Sequence, residues 1–580
     1  MIPDKPDRIS KECRFDAFKD GKVLYGKKKG RLPAMGWNSW NAFGSGNTEE
    51  LTKIMADRFI ELGLKDLGYE YIVLDDGCYK ETRIDGKLSN EEVKFPSGFK
   101  ALGDYIHSKG LKFGMYNDIG TNLCAGAEVG TCGFEDEDAK SYLEWGVDFL
   151  KVDNCYYLWD NATFSKPENA RYTFAPNIRA VRVGDKTYTI SDLCVAGDRG
   201  TIEDDCVTGI GTYDGTGPDA SPIGIRSSEV VLEYDSDVAG EIGISVEYAT
   251  GCKEDQGEWL QIAVGDEFFH DDLMGNSPAE DRYIWSKEIP VRVKEGNNLI
   301  RLMNHRRQEN TLNSYARLLK ALADLKPDHD IMYSACEWGK TQPQNWAYKV
   351  CDSWRILNDI TFRVGSDGDP GHGDWTSDYT TSVMSQYNKA VIMDEFSGLD
   401  KGWNDPDMLM IGMDGLNPAQ NRTHMAMWCM MNAPLMLGLD LRRVEKGDDL
   451  YRIIANSDLI AVNQDSLGKQ AKRVWTSLPH EYADREYIRD NDRVDILCKP
   501  LSDERFALSF INCSDSDKAD EFSVRLSALR EYLGEGIVSA ASYTLKDVWS
   551  GEVSENASEI FTVNGLRAYD NATFIVTPKK

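Results

Sequence analysis

Several things are missing from this 580-residue sequence. It has no apolar run long enough to span a bilayer, and its polar start, Met1-Ile-Pro-Asp-Lys-Pro, carries no export-type apolar segment. Read as it stands, the chain is expected to be soluble and cytoplasmic, or extracytoplasmic if it comes from a trimmed precursor. Basic residues are scarce: 66 Lys and Arg face 96 Asp and Glu, a formal net charge of −30. That balance argues against nucleic acid or an anionic membrane as a partner. It does not imply a cationic substrate, since a solubilising acidic surface explains it equally well. The 13 cysteines include no C-x-x-C or other metal-ligand spacing, so they suggest no metal site. Cys124 with Cys155, and Cys336 with Cys351, are candidate pairs in an oxidising compartment. There is also no histidine cluster, no glycine-rich phosphate loop and no thiol in a recognisably nucleophilic setting.

What is present is an apolar share of 41%, enough for real cores, and an aromatic complement of 14 Trp and 26 Tyr. The length argues for two to four domains. From Arg31 onward, short apolar runs ending in polar residues alternate with helix-like segments. Ala34-Met-Gly-Trp37 leads to Asn38, Ser39 and Trp40, and Tyr71-Ile-Val-Leu74 ends in Asp75-Asp76. Leu111 to Met115 ends in Tyr116-Asn-Asp118, and Phe149-Leu150 runs into Lys151-Val-Asp153. Helical spacing fills the intervals at Thr48 to Leu64, Phe99 to Lys109 and Ala139 to Trp145. Strands alternating with helices mean parallel βα units. Polar residues at each strand's C-terminal end fit a (β/α)8 TIM barrel, whose active site lies on that face. No G-x-G-x-x-G follows the first strand, which disfavours a doubly wound sheet.

The pattern changes between about Leu158 and His305. Glu229 to Tyr234, Gly243 to Tyr248, Trp259 to Val264 and Ile289 to Val293 alternate with period two, and Gly296 to Leu302 follows. They predict a jelly-roll-like β-sandwich inserted in the fourth βα connection. The barrel is then expected to resume with a helix from Leu312 to Leu325. Further strands are predicted at Ile331 to Ser334, Trp354 to Asn358, Pro406 to Met410 and Pro434 to Leu439. Beyond about Gln470, segments such as Arg493 to Leu497, Phe506 to Phe510 and Phe522 to Leu526 predict an antiparallel β-domain capping the C-terminal end of the barrel. The expected units are 1–160 and 306–470 for the barrel, 161–305 for the insert and 471–580 for the last domain.

On a strand, residues two apart share a face, so Lys151 and Asp153 point one way and Leu150 and Val152 the other. Alone, such a pair reads as a structural ion pair at a strand end. In a barrel it joins Trp40, Asp75, Asp76, Tyr116, Glu337, Arg355, Asp359 and Asp407 around one pocket. Carboxylates accept hydrogen bonds from vicinal hydroxyls and indole rings pack on the C–H face of a pyranose, so the set suits a sugar. Glycoside hydrolysis needs two carboxyls flanking the scissile bond. Asp153 is the expected nucleophile, with Lys151 holding it ionised. Asp359, past a different strand, is the expected acid/base, and a nearby Arg355 would depress its pKa unless directed at the substrate.

The motifs Met35-Gly-Trp-Asn-Ser-Trp40, Leu74-Asp-Asp, Gly114-Met-Tyr116, Cys124-Ala-Gly, Lys151-Val-Asp153, Tyr333-Ser-Ala-Cys-Glu-Trp-Gly339, Ser353-Trp-Arg-Ile-Leu-Asn-Asp359, Gly402-Trp-Asn-Asp-Pro-Asp-Met408 and Asn463-Gln-Asp-Ser-Leu-Gly468 resemble glycoside hydrolase family 27, the α-galactosidases and their relatives. They occur in the family's order over about 31–160 and 306–470. The resemblance implies a retaining (β/α)8 enzyme without a cofactor, with Asp153 as nucleophile and Asp359 as acid/base. It implies Asp75 and Asp76 as clamps for the sugar's 6- and 4-hydroxyls, Trp40 as stacking ring, and Lys151 and Arg355 at the 3- and 2-hydroxyls. Tyr116, Asp407 and Met408 would shape the pocket, and Cys124 and Cys155 match a disulfide of secreted members. Family members acting on N-acetylgalactosamine carry small residues at the position of Glu337, and those acting on β-L-arabinopyranosides replace the aspartate at position 75 by glutamate. Glu337 and Asp75 therefore imply galactose, with those two sugars as alternatives and a non-catalytic sugar-binding protein as a further one. The expected partner is an oligosaccharide or glycoconjugate; the oligomeric state is not specified.

Two features depart from the pattern. Gly77-Cys78-Tyr79 stands where the family has Trp two residues after the aspartate pair. The inserted sandwich is absent from the simplest members, and its strand spacing is similar to galactose-binding jelly-roll carbohydrate-binding modules.

Overall fold

The computed structural model describes residues 23–155, 175–196, 200–211, 228–251, 258–377, 380–478 and 487–579. Eight short strands form one wholly parallel sheet: β1 (Met35–Asn38), β2 (Tyr71–Val73), β3 (Lys112–Asp118), β4 (Phe149–Asp153), β5 (Met332–Cys336), β6 (Ser353–Arg355), β7 (Trp403–Asp405) and β8 (Leu435–Leu437). Their order is β7-β6-β5-β4-β3-β2-β1-β8. A parallel bridge from Leu409, just past β7, to Leu437 of β8 joins the two ends. The sheet is thus a (β/α)8 barrel. β4 and β5 pair in register, Phe149 with Met332 and Asp153 with Cys336, so the insert leaves the barrel uninterrupted.

Strand alternation decides what faces inward. Ala34, Tyr71, Val73, Phe149, Met332 and Met436 make one small apolar cluster with Met408, and Trp40 packs against it. Their sequence neighbours Met35, Ile72, Leu74, Leu150, Val152, Tyr333, Leu435 and Leu437 belong to the large core shared with the surrounding helices. The cluster is the plug of the barrel interior. The next positions on its side, two residues on, are Asp75 after Val73 and Lys151 and Asp153 after Phe149, so polar residues begin where the plug ends. Gly36 is required at this narrow interior: a Cβ there would lie 2.3 Å from the Tyr71 carbonyl oxygen.

The helices lie close to their predicted places. The first, Glu49–Leu62, is capped by the Thr48 side chain, which accepts the Leu51 N–H at 3.2 Å, and stops at Gly63 with φ 74°. The predicted seventh strand is displaced. Pro406 has no N–H to give and Asp407 adopts φ 75°, so β7 ends at Asp405 and only Leu409 of the predicted run rejoins the sheet.

The insert is a β-sandwich. One sheet contains Cys194–Ala196, Glu229–Ser236, Gly296–Met303, Glu258–Val264 and Glu267–Met274; the other is built around Asn177–Val183 and Gly240–Ala249. Val181, Val183, Ile244 and Val246 of one sheet pack with Val230, Leu232, Ile262 and Ile300 of the other. The sequence analysis does not predict Cys194–Ala196, Thr201–Glu203 or Cys206–Thr208, because three residues are too few to display a period. The sandwich is fastened to the barrel at the start of helix Arg306–Leu325. There Gln261 accepts the His305 N–H at 2.7 Å and donates to Glu309 at 3.3 Å. Buried Arg301 and Glu229 pair at 2.6 Å beside it.

The C-terminal part is a six-stranded antiparallel sheet with a two-stranded ribbon, Lys518–Arg525 and Ile560–Leu566. It packs on the side of the barrel and does not cap its C-terminal end as expected. The contacts run to helices Val383–Ala390 and Pro418–Met430: Tyr387 donates to Asp495 at 3.0 Å and Arg422 pairs with Asp570 at 2.9 Å. Cys336 and Cys351 are both free and buried, against the expectation that they pair. Alternation turns Cys336 inward, where Arg355 reaches its sulfur at 3.7 Å, while Cys351 lies in the outer hydrophobic layer.

Candidate active site

Asp153 ends β4 and is buried at 4% exposure. Its Oδ1 accepts the Asn154 N–H at 2.9 Å and its Oδ2 accepts the Tyr116 hydroxyl at 3.3 Å. The expected Lys151–Asp153 pair does not form. Lys151 Nζ reaches past β3 to Asp75 Oδ2, at the end of β2, at 2.7 Å, because the interior lets the long side chain choose a partner two strands away. Burial pushes the Asp153 carboxyl from 3.8 up to about 6; Lys151 opposes this, and the Asp359 charge adds to it. The reasoning that Lys151 keeps Asp153 ionised is thus only a counterweight to desolvation. Burial disfavours the Lys151 ammonium as well, but Asp75 together with Cys336, Asp153 and Asp359 outweighs it and holds the amine well above its ordinary range.

The two aspartates after β2 are fixed by separate loops. Asp75 takes hydrogen bonds from Asn38 Nδ2 at 2.8 Å and from the Asp76 N–H at 2.9 Å, and its own N–H donates to Ser39 Oγ at 2.9 Å. Asp76 accepts the Gly77 N–H at 2.6 Å and the Ala125 N–H at 2.7 Å. Burial, with Asp75 beside it, lifts Asp76 to about 6. Cys124 and Cys155 form a disulfide with Cα atoms 5.2 Å apart, so the Ala125 loop is tied to the end of β4. Trp40, half-buried, and Met408 sit over the interior plug.

Asp359 follows β6 and is the open member, its side chain 40% exposed. Arg355 Nη2 lies 3.0 Å from Asp359 Oδ1 and 2.6 Å from Asp407 Oδ2. Asp407 also accepts the Ile360 N–H at 2.8 Å and the Met408 N–H at 2.7 Å, with its backbone at φ 75°. Burial raises its pKa, with Arg355 opposing. A non-glycine residue so placed is strain of the kind concentrated at functional sites.

Glu337, the next predicted residue, follows β5. It is fully buried, and its carboxylate accepts the Thr341 N–H at 3.0 Å and the Thr341 hydroxyl at 3.0 Å. Trp338 at φ 57° and Gly339 at φ 75° coil the chain so that the donors four residues on return to it. Tyr79, at the departure from the family's Trp, is buried and donates to the Tyr116 carbonyl at 2.8 Å, so it supports the site from the core side.

Sequence reasoning missed Asn38, Asp118 and Lys340. Asn38 ends β1 two residues after the inward-facing Gly36, a signal that could have found it. Asp118, fully buried, accepts the Cys155 N–H and the Gly120 N–H, each at 2.6 Å. Burial and the neighbouring Asp153 push it up to about 7. Donor atoms of Asp118, Cys124, Asp153 and Cys155 lie within 4.8 Å of one another, but the two sulfurs are bonded to each other and unavailable to a metal. Lys340 donates to the Asn154 carbonyl and its charge lowers the pKa of Asp153. It comes from an irregular loop with no sequence signal.

A (β/α)8 barrel with an enclosed carboxyl and a more open one at its strand ends has the two acids that a glycoside hydrolase needs. The comparisons are specific. A family model described as alpha galactosidase A matches residues 32–173 and 299–465, more than half of the chain, and one described as the alpha galactosidase C-terminal beta sandwich domain matches 491–572. The chain belongs to this alpha-galactosidase family, glycoside hydrolase family 27. It is 27% identical over 561 residues to an alpha-galactosidase of Cyamopsis tetragonoloba, covering 95% of this chain and 89% of that one. It is 25% identical over 529 residues to alpha-galactosidase A of Cellvibrio japonicus, covering 90% and 86%. Among solved structures, the alpha-galactosidase of Saccharomyces cerevisiae with raffinose has a TM-score of 0.61 at 20% identity, covering 96% of this chain and all of that one. A β-L-arabinopyranosidase of Geobacillus stearothermophilus has a TM-score of 0.56 at 16% identity, covering 94% and 96%. At such identities the structural likeness is one of fold.

Proposed function

We propose that this chain removes terminal α-D-galactosyl residues from oligosaccharides or glycoconjugates by a retaining double displacement. The observation that carries the reading is a pair of carboxyls at the strand ends, the enclosed Asp153 after β4 and the more open Asp359 after β6, near enough that the Asp359 charge adds to the rise of the Asp153 pKa. Asp153 Oδ attacks the anomeric carbon as the glycosidic C–O bond breaks, and Asp359 gives its proton to the departing oxygen. A covalent galactosyl–Asp153 ester results. Asp359, now a carboxylate, takes a proton from water, whose oxygen displaces Asp153 and yields α-galactose. Tyr116 and the Asn154 N–H stabilise the carboxylate that leaves.

The apolar cluster of Met408, Met436 and Val73 closes the barrel interior beneath these carboxyls, which suits exo action on a terminal residue. Asp75 and Asp76, fixed by Lys151, Asn38 and the Ala125 loop, offer acceptors for hydroxyls on that ring. The aspartate at position 75 leaves room for a hydroxymethyl group, and the names of the relatives agree with galactose. Arg355, held between Asp359 and Asp407, exchanges its bond to Asp359 for substrate when a sugar enters.

The test is a panel of nitrophenyl α-galactoside, β-L-arabinopyranoside and α-N-acetylgalactosaminide, with the first-formed anomer followed by proton NMR. Preference for α-galactoside with α-galactose as initial product supports the reading. Initial β-galactose, or no turnover of any of the three, refutes it.

A further inference from the structure

The inserted sandwich has an open end with its own cleft of about 600 Å³. It lies where the turn between Asn177–Val183 and Lys186–Thr189, in one sheet, approaches Glu229–Ser236 and Gly296–Met303 of the other. No residue lining it belongs to the barrel. Its floor is apolar and aromatic: Tyr188 from one sheet and Tyr234 from the other pack on the sandwich core, with Ile242 beside them. Its rim is polar, carrying Asp185 on the turn and Asp235 opposite Asn297 in the strand register.

We propose that this cleft is a carbohydrate-binding site, separate from the catalytic pocket, that takes a neutral pyranose unit of a polysaccharide. Its size lies within the range of small-ligand sites, and an aromatic floor with a few convergent polar groups is their usual composition. A pyranose matches both parts: its C–H face meets the half-buried Tyr234 ring, and its ring hydroxyls donate to the carboxylates and bond the amide. The charge pattern excludes acidic sugars. Asp185, Glu233 and Asp235 oppose a single lining cation, Lys186, whose ammonium lies 4.5 Å from the centre of the Tyr188 ring. The rim residues Asp185, Asp235 and Asn297 are exposed and ready to meet a polymer, whereas Tyr188 is buried and shapes the floor.

Affinity electrophoresis of the full chain tests this, with galactomannan, arabinogalactan and xylan as probes. The Asp153→Asn background stops hydrolysis during the run. We expect retardation by at least one polymer, weakened about tenfold by Asp235→Ala or Asn297→Ala, since each removes a hydrogen-bonding group from the rim. Restored to the Asp153 background, the same two changes leave kcat/KM on nitrophenyl α-galactoside within about twofold, because neither touches the barrel. Absence of retardation by all three polymers overturns the proposal. So does retardation that persists unchanged in Asp235→Ala, Asn297→Ala and Tyr234→Ala, which assigns the binding to the barrel. Neither outcome depends on which glycoside the barrel hydrolyses.

Discussion

Replacing Asp153 by asparagine should abolish turnover and at the same time stabilise the fold, increasingly so as pH rises. The carboxyl is buried and its pKa stands at about 6 against an ordinary 3.8, with burial as the main cause. A carboxyl raised in the folded state contributes stability that is complete below the unfolded value and is lost as pH rises through the folded one. The window therefore runs from near 3.8 to just above 6. Each unit is worth ~1.4 kcal/mol, so ionising Asp153 in place costs the native state about 3 kcal/mol by pH 8, about half of which is already lost at pH 5. Asparagine takes no part in this linkage. The stability of Asp153→Asn relative to wild type should therefore rise by about 1–2 kcal/mol from pH 5 to pH 8, the remaining half of that cost. Urea unfolding followed by tryptophan fluorescence at the two pH values measures it. Turnover of nitrophenyl α-galactoside should fall by at least about 10⁴-fold, the scale for loss of a covalent nucleophile. In the wild type, kcat/KM should decline below about pH 6 as Asp153 takes up a proton. A variant equally displaced in stability at both pH values, or one that keeps its turnover, would refute both the desolvation argument and the assignment of the nucleophile.

Asp359→Asn should lose activity in proportion to the leaving group's need for a proton: by about 10²–10⁴-fold on raffinose-type substrates and far less on dinitrophenyl galactoside, as steady-state kinetics on the two will tell. Lys151→Met leaves Asp75 buried without its cation, so we expect a loss of about 3–5 kcal/mol in denaturant stability and a large increase in KM. Cys124→Ser opens a loop of 31 residues, which should cost about 3–4 kcal/mol and raise KM more than it lowers kcat, because Ala125 then no longer holds Asp76. Binding of galactose near pH 6 should release protons, since hydroxyl donors favour the ionised forms of Asp76 and Asp153. Calorimetry in buffers of differing ionisation enthalpy reads the sign, and proton uptake would contradict it.

The barrel was legible because a parallel strand inside a closed sheet leaves a two-part trace: an apolar run for the walls and a polar residue where the interior opens. Tyr71-Ile-Val-Leu before Asp75, and Phe149-Leu before Lys151, carry that trace in full. Four things were not legible, each for a physical reason. The partner of Lys151 is chosen across the barrel, and a flexible four-carbon stem leaves no sequence mark of its reach. The end of β7 depends on Asp407 tolerating φ 75°, which nothing in Pro406-Asp407-Met408 announces beyond the proline itself. Glu337 is claimed by its own turn through Trp338 and Gly339, a local contest of hydrogen bonds that motif spacing does not register. The docking of the C-terminal sheet against the helix Pro418–Met430 is set by tertiary pairs such as Arg422 with Asp570, far apart in the chain.

The charge balance of the pocket bears on how the site works. Asp75, Asp76, Asp118, Asp153 and Asp407 are buried around the pocket, while the buried or half-buried cations nearby are Lys151, Lys340 and Arg355. Burial raises the pKa values of Asp76, Asp118, Asp153 and Asp407, and a neighbouring carboxylate adds to the rise at each, since carboxylates outnumber cations. Burying unneutralised charge destabilises a fold and is tolerated here only because backbone N–H groups of Gly77, Ala125, Asn154, Cys155, Gly120 and Ile360 meet those oxygens. Such a pocket rejects anions and gains most from a neutral ligand rich in O–H donors, which is what a galactosyl residue offers. The selectivity for a sugar and the marginal stability of the empty site are then one electrostatic fact, and a variant that relieves the surplus should gain stability by losing affinity.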